Sequence, residues 1–215
     1  MTEHKDIDSC NSAQLLERAY ALKSPRQALA LYHDWATTYD KHLEEGLQYI
    51  GPAEIAGLLA EALEDRTALV LDVGCGTGLV GEYLAAHGFS AIDGLDFSPQ
   101  MLAVAAQKTL YRELIKANLN GDLDLPDQIY DAAISCGTFT HGHVGAGALD
   151  EILRLLKPGG VFACTIHRDI WHEAGFATRI SQLSAGGTIA LDRILERPFF
   201  RGQVATARCC LLRKL

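Results

Sequence analysis

The sequence predicts an α/β protein whose β-sheet is mainly parallel and is covered by helices on both faces. Short apolar strand patterns alternate with helical patterns from residue 68 onward. The connections between them are short, as is typical of crossover helices that join parallel strands. The chain has 215 residues, of which 48% are hydrophobic and 21% are charged, and this suits one globular domain with a modest extension.

Residues 1–50 are expected to form a helical extension in front of that domain. After a first short helical pattern, Ser24-Pro25 predicts the N-cap and the first position of a second helix that reaches about residue 43. Glycines at 46 and 51 end this region. We therefore divide the chain into an N-terminal helical extension or lid, 1–50, and a domain, 51–215.

The domain is expected to contain seven strands separated by helices. The predicted strands are 68–73, 91–95, 114–117, 130–135, 161–166, 188–196 and 203–212. The predicted helices are 53–63, 79–87, 99–107, 148–156 and 168–183, with Ser98 as the N-cap of the third. A glycine-rich loop at 137–147 and a turn at 157–160 complete the order. A hairpin is one arrangement open to the last two strands.

The charge and the apolar pattern of the chain bear on its partners. The net charge is −8, whereas binding to a nucleic-acid backbone normally needs a basic face. A small-molecule or protein substrate is therefore expected, and no nucleic acid. No apolar run approaches the length of about 20 residues that a membrane-spanning helix needs, and the polar start lacks the layout of a signal peptide. We expect a cytoplasmic protein that contacts no membrane.

The first predicted strand runs directly into a glycine loop, Gly74 to Gly78, where a cofactor is expected. Glycines let the backbone turn tightly and approach a ligand closely. In open α/β sheets, ligands bind beyond the carboxyl ends of the strands. A glycine-rich turn with no ligand is the alternative that stays open.

Two cofactor classes compete for this loop. The stretch from Gly76 to Gly81 satisfies G-x-G-x-x-G, and Asp96 follows Gly76 by twenty residues, as in dinucleotide sites. Asp72, however, extends the pattern to D-x-G-x-G-x-G. A carboxylate at that point suits a cationic amino-acid moiety better than it suits a pyrophosphate.

Three segments resemble the motifs of class I S-adenosylmethionine (SAM)-dependent methyltransferases. They are LDVGCGTG at 71–78, GLDFSPQML at 94–102 and LKPGG at 156–160, in the expected order. The segment YHDWATTYD at 32–40 is similar to the N-terminal helix of the Williams–Beuren syndrome region methyltransferase-like group. The resemblance implies a Rossmann-like fold, SAM as the methyl donor, S-adenosylhomocysteine as its product, and transfer to an O, N or S atom of a small molecule.

The resemblance also implies which residues bind the cofactor. The methionine part is held by Asp72, Gly74, Cys75, Gly76, Thr77, Gly78 and Leu79. The ribose is held by Asp96, and the adenine is bound by Phe97, Met101, Asn118 and Leu119. The amino group of the cofactor meets backbone groups of Cys136 and Gly137, and Trp35 and Tyr39 form the lid. Asn118 departs from the acidic residue that the family usually has, although its side-chain oxygen still accepts a hydrogen bond.

Plainer roles stay open for several of these residues. Asp96 could interact only with the dipole of the helix that follows it. Asn118 could be an ordinary loop asparagine. Trp35 and Tyr39 could pack at i,i+4 spacing without touching a ligand.

Methyl transfer is an in-line displacement, so much of its catalysis can come from positioning and the exclusion of water. A base is needed only when the acceptor must lose a proton. The candidates are His141, His143 and His167 in the loops after the fourth and fifth strands, with His141 preferred and a surface or capping role as the alternative. No metal is expected, because no third metal-binding residue lies at a sequence spacing that would complete a site with His141 and His143.

Two other functions compete with an active methyltransferase. One is a catalytically silent SAM-binding module that serves as a protein partner, and the other is an NAD(P)-dependent oxidoreductase. The sequence leaves the acceptor and the oligomeric state open.

Overall fold

One seven-stranded sheet forms the centre of the computed structural model, which describes residues 9–22, 25–142 and 144–215. The strands are β1 Leu69–Val73, β2 Ala91–Asp96, β3 Glu113–Lys116, β4 Tyr130–Phe139, β5 Leu156–His167, β6 Ile189–Arg197 and β7 Ala207–Lys214. Their order across the sheet is β3-β2-β1-β4-β5-β7-β6. The first five strands are parallel, and β7 lies antiparallel between β5 and β6. The predicted α/β class, the mainly parallel sheet and the terminal hairpin are confirmed.

Helices pack on both faces of this sheet and in front of its carboxyl edge. They are α1 Ser9–Tyr20, α2 Pro25–Trp35, α3 Tyr39–Lys41, α4 Gly51–Ala62, α5 Leu79–Ala86, α6 Pro99–Gln107, α7 Ala148–Leu155, α8 Ile170–Glu173 and α9 Phe176–Ala185. The predicted cap of α6 is confirmed, because Ser98 Oγ accepts the backbone N–H of Met101 at 3.3 Å. The predicted cap of α2, Ser24, lies outside the described residues.

The helix predicted to reach residue 43 is wrong at its carboxyl end. The α-helical geometry of α2 stops at Trp35 and is followed by a 3₁₀ turn, Ala36–Thr38, the single turn α3 and a wider π-helical turn, His42–Gly46. Thr38 leaves the helical conformation, with φ −119° and ψ 2°, and β-branched residues are stiff in helices. The Trp35 indole N–H donates to His42 Nδ1 at 2.8 Å across these turns.

Three other predicted boundaries are also corrected. The helix at 168–183 is two helices, α8 and α9, because Gly175 between them has a positive φ of 79°. Strand β4 continues to Phe139, which pairs with Ile166 after a shift in register. Strand β5 starts at Leu156 instead of 161, so the predicted turn at 157–160 lies within an irregular start of the strand.

Each face of the sheet has its own hydrophobic core because successive strand residues point to opposite faces. Val70 packs with Ile55 and Leu84 from α4 and α5. Leu71 packs on the other face with residues of α7, α8 and α9, such as Leu149 and Phe176. This alternation explains why the strands of the parallel part read as continuous apolar runs.

A third apolar cluster holds the N-terminal extension against the rest of the protein. Leu31 and Trp35 from α2 pack with Leu79 of α5 and with Phe199 and Phe200, which precede β7. The extension therefore lies over the carboxyl ends of the strands, where a ligand site is expected. Among the described residues, no helix combines the length and the hydropathy that crossing a bilayer requires.

Candidate functional site

A cleft lies at the carboxyl ends of β1, β2 and β4, beneath α2 of the extension. It contains about 820 Å³ of space, part of which is open to solvent. Ten of the residues predicted to bind the cofactor line it: Tyr39, Gly74, Gly76, Asp96, Phe97, Met101, Asn118, Leu119, Cys136 and Gly137. Tyr32 and Leu29 of α2 add a wall that the sequence did not predict.

Six of the predicted residues are buried and do not line the cleft: Trp35, Asp72, Cys75, Thr77, Gly78 and Leu79. Their side chains instead pack behind the cleft or bond within the protein. More of the residues predicted to bind the ribose and the adenine line the cleft than of those predicted to bind the methionine part.

The glycine loop takes a shape that side chains would obstruct. Gly74 has φ 71°, and a Cβ there would lie 2.1 Å from Thr138 Oγ1. Thr138 is fixed in that place because its hydroxyl donates to the carbonyl of Val73 at 3.2 Å. The loop thus turns tightly at the end of β1 and leaves Gly74 and Gly76 at the wall of the cleft.

Asp72 contacts a tyrosine that the sequence analysis missed. The hydroxyl of Tyr111 donates to Asp72 Oδ2 at 2.7 Å, whereas Asp72 Oδ1 accepts no hydrogen bond from the described residues. Burial raises the pKa of the Asp72 carboxyl to about 7, against the opposing effect of the Tyr111 hydrogen bond. Half of the Asp72 carboxyls are therefore protonated near neutral pH.

Tyr111 also explains the third glycine of the G-x-G-x-x-G pattern. A Cβ at Gly81 would lie 2.5 Å from the Tyr111 hydroxyl oxygen, and a Cβ at Gly78 would lie 3.0 Å from Tyr111 Cε2. Both glycines make room for the tyrosine that bonds Asp72. The match to a dinucleotide pattern at Gly81 thus has a packing cause.

Asp96 is held at the end of β2 by the backbone on both sides of it. Its Oδ2 accepts the N–H of Gly76 at 2.9 Å, and its Oδ1 accepts the N–H of Ser98 at 2.7 Å. Burial raises the pKa of Asp96 above its usual value, while the N–H groups of Ser98, Gly76 and Phe97 oppose that rise. Each oxygen keeps acceptor capacity for a further donor in the cleft.

Asn118 lines the cleft, but its amide oxygen has a local partner. Asn118 Oδ1 accepts the N–H of Asn120 at 3.0 Å, which forms the turn after β3. This is the bond of an ordinary loop asparagine. Its side-chain NH₂ and the remaining lone pair of Oδ1 are the groups that a ligand can use.

Cys136 and Gly137 form the wall where β4 bends. The Cys136 thiol lies 3.2 Å from the Tyr49 hydroxyl, and burial raises the pKa of that thiol to about 12, so it is neutral. Gly137 has φ 75°, and its N–H donates to Thr165 Oγ1 at 3.0 Å. That N–H is therefore already used within the protein.

Asp40 links the extension to the glycine loop, and the sequence analysis missed this residue as well. Its Oδ1 accepts the hydroxyl of Thr77, and its Oδ2 lies 2.7 Å from Lys108 Nζ. Lys108 also binds Glu82 Oε2 at 2.6 Å. Tyr39, next to Asp40, is thereby placed in the wall of the cleft.

A second cavity adjoins the cleft and contains about 460 Å³ of space, part of which is open to solvent. The two share Tyr32, Tyr39 and Gly137 as lining residues. The rest of its wall is mainly apolar and aromatic: Leu16, Ala19, Tyr20, Trp35, Leu43, Tyr49, Thr140, Phe199 and Phe200. Trp35, which does not line the cleft, lies 4.7 Å from Tyr39 between ring centroids and helps to form this second wall.

The candidate bases His141 and His167 lie together, with ring centroids 4.8 Å apart. Neither lines the cleft or the second cavity. Tyr20, which lines that cavity, packs against both rings, with its centroid 5.7 Å from His141 and 5.4 Å from His167. Burial lowers the pKa of His167 below its usual value, although Asp169 opposes this. His143 lies outside the described residues.

Comparisons with known proteins show the family to which the chain belongs. The sequence profile described as "Methyltransferase domain" matches residues 71–164. An uncharacterised methyltransferase of Geobacillus kaustophilus is 31% identical over 185 residues, which cover 81% of this chain and 82% of that protein. The chain belongs to the methyltransferase family, which confirms the predicted class.

More particular relatives are also similar to the chain. Methyltransferase-like protein 27 of Homo sapiens is 37% identical over 150 residues, which cover 68% of this chain but only 60% of that protein. A TehB-like SAM-dependent methyltransferase of Corynebacterium glutamicum superposes with a TM-score of 0.65 at 22% identity, covering 86% of this chain and 99% of that one. Further relatives are named for methylation of 18S rRNA, so membership of the family does not exclude a nucleic-acid acceptor.

Proposed function

We propose that this methyltransferase binds SAM in the cleft and transfers its methyl group to an O, N or S atom of a small, largely apolar acceptor in the second cavity. The shared wall of the two spaces supports this most directly. Methyl transfer needs donor and acceptor atoms about 3–3.5 Å apart and in line. Tyr39 and Gly137 lie at the boundary of both spaces, which suits the point of transfer.

Different parts of the cleft wall suit the ribose, the adenine and the methionine part of SAM. Asp96 would accept the ribose hydroxyls with its remaining lone pairs, and Phe97 and Met101 would pack against the adenine. The amide of Asn118 would bind the polar edge of the adenine. The loop from Gly74 to Gly78 would hold the methionine part. Asp72, directly behind that loop, would favour the cationic ammonium and sulfonium groups when its carboxyl is ionised.

The second cavity suits an acceptor with a flat apolar body and few polar groups. Its polar atoms are the hydroxyls of tyrosines and of Thr140, and aromatic side chains bind planar apolar groups well. The net charge of −8 also favours a small molecule over a polyanionic acceptor. A cytoplasmic location and the lack of a nucleic-acid partner stay predictions.

Positioning and the exclusion of water are proposed to supply most of the catalysis. His141 and His167 line neither space, so either could act as a base only if the wall of the second cavity rearranged. The neutral thiol of Cys136 is unsuited to act as a nucleophile, because the thiolate is the reactive form.

The test is release of S-adenosylhomocysteine from SAM when the purified protein is incubated with separate pools of small metabolites, protein and RNA. We expect release with the metabolite pool and none with the RNA pool. Release only with RNA or protein would contradict the proposed acceptor class. SAM binding without release from any pool would favour the silent binding module.

A matched pair of variants separates the donor site from the acceptor site. Asp96→Ala is expected to weaken SAM binding itself. Phe200→Ala enlarges the second cavity and is expected to raise the KM for the acceptor while leaving the Kd of SAM unchanged. Equal effects of Phe200→Ala on both constants would contradict the assignment of the second cavity to the acceptor.

A further inference from the structure

Three side chains that can bind metal lie together at the carboxyl ends of β4 and β5, outside the cleft. His141 follows β4, His167 is the last residue of β5, and Asp169 lies two residues beyond it. Asp169 Oδ2 is 3.8 Å from His141 Nε2 and 3.7 Å from His167 Nδ1. One ligating atom from each of the three residues lies within 4.8 Å of the others.

We propose that His141, His167 and Asp169 bind a divalent transition-metal ion of the Zn²⁺ type. Two imidazole nitrogens and one carboxylate oxygen suit zinc, cobalt, nickel or iron, whereas magnesium and calcium prefer oxygen ligands alone. Three protein ligands leave at least one coordination position for water or another small ligand, as in open zinc sites.

The two carboxylate-to-histidine distances are close to those that such an ion needs, whereas the two histidine nitrogens, which lie within 4.8 Å of each other, must approach by up to about 1.5 Å. Ligands at about 2.0–2.2 Å from a tetrahedral ion lie roughly 3.3–3.5 Å from one another. The two carboxylate-to-histidine distances of 3.7 and 3.8 Å therefore need to shorten by less than about 0.5 Å. Asp169 Oδ1 lies 3.8 Å from Arg168 Nε, so Oδ2 is the oxygen that faces both histidines.

The group is accessible to an ion, which would displace the hydrogen bond that His167 Nδ1 now accepts. The Asp169 side chain is 56% exposed, which opens the group to solvent. The N–H of Asp169 donates to His167 Nδ1 at 3.3 Å, a long hydrogen bond that an ion would replace. The sequence alone offered no third ligand for the histidines. The fold supplies it because β4 and β5 are neighbours and end at the same edge.

A bound ion would act on the wall of the second cavity. The ring of Tyr20 packs against both histidine rings, and the ring of Phe199 stacks on His167 with a centroid distance of 6.0 Å. Tyr20 and Phe199 both line that cavity. The ion would therefore tie α1 to the sheet and fix this wall. It would also occupy the histidine lone pairs, so the same residues could not then serve as bases.

Calorimetric titration of the untagged, metal-stripped full chain with Zn²⁺ tests the proposal, with Co²⁺ absorption as a second readout. We expect one ion per chain, a Kd in the micromolar range or tighter, and a higher Tm with the ion. His141→Gln and Asp169→Asn should each weaken Zn²⁺ binding by at least about tenfold.

His172→Gln is the matched control, since His172 is an exposed histidine of α8 close to the group, and it should bind Zn²⁺ as the native protein does. SAM titration of each variant shows that the cleft is still folded, and its outcome is independent of the metal. No stoichiometric binding of Zn²⁺ to the native chain would overturn the proposal. Unchanged affinity in both His141→Gln and Asp169→Asn would overturn it as well.

Discussion

Replacing Asp72 with asparagine is expected to remove a pH-dependent loss of stability from the cofactor-free protein. The Asp72 carboxyl is fully buried, and burial raises its pKa from 3.8 to about 7. In the unfolded chain an aspartate titrates near about 3.9. Between these two pH values the folded protein binds a proton that the unfolded chain has already released. The free energy of unfolding therefore decreases as the pH rises from about 4 to about 7.

The two pKa values set the size of this effect. Because proton binding and folding are linked, the contribution of Asp72 to the free energy of unfolding falls by about 2 kcal/mol between pH 5 and pH 7. Asparagine at position 72 does not titrate, so its variant lacks that loss. The free energy of unfolding of the variant minus that of the native protein should thus increase by about 2 kcal/mol over this range. Urea denaturation of both proteins at pH 5, 6 and 7, without cofactor, measures this difference.

Asp131→Asn provides a control that should differ from the native protein by a constant amount between pH 5 and pH 7, because Asp131 titrates at lower pH. Partial burial raises the pKa of Asp131, but hydrogen bonds from Lys157 and from the N–H of Leu69 outweigh burial and hold the pKa below its usual value. That carboxylate stabilises the fold above the unfolded pKa and loses its effect as the pH falls. A difference between native protein and Asp72→Asn that stays constant with pH would refute the reasoning about Asp72.

Four further substitutions test the contacts around the glycine loop. Gly81→Ala should lower the free energy of unfolding by about 1–3 kcal/mol, because the new methyl group overlaps the Tyr111 hydroxyl. Adding Tyr111→Phe to the same chain should recover part of that loss. No recovery in chemical denaturation would contradict the packing explanation. Asp40→Ala removes the acceptor of the Thr77 hydroxyl and should raise the Kd of SAM by about tenfold, measured by calorimetry, and an unchanged Kd would show that the extension does not order the loop. Asp96→Asn should weaken SAM binding by about 10- to 100-fold, and equal affinity would remove Asp96 from the ribose site.

The order of strands and helices was predictable because it follows from local patterns. Apolar runs of strand length alternate with helical patterns, and the local pair Ser98-Pro99 correctly predicted the start of α6. The predictions are wrong where tertiary contacts or single backbone angles determine where a helix ends. The turns after Trp35 depend on its bond to His42, and the break between α8 and α9 depends on the φ of Gly175.

The candidate site divides in the same way. Asp96 was predictable because a strand end, a gap and a helix cap place it within a few residues of sequence. Tyr111 bonds Asp72 across 39 residues of sequence, and Asp40 bonds Thr77 across 37. No local pattern marks such pairs, because only the packing of strands and of the extension brings them together.

The most direct test of the central claim is an equilibrium titration of the purified, cofactor-free protein with SAM, S-adenosylhomocysteine and NAD⁺. The assignment of the cleft predicts that SAM and S-adenosylhomocysteine each bind one per chain with micromolar or tighter Kd, that NAD⁺ does not bind, and that Asp96→Ala weakens both adenosyl ligands together. No binding of either adenosyl ligand, or binding of NAD⁺ with comparable affinity, would contradict it.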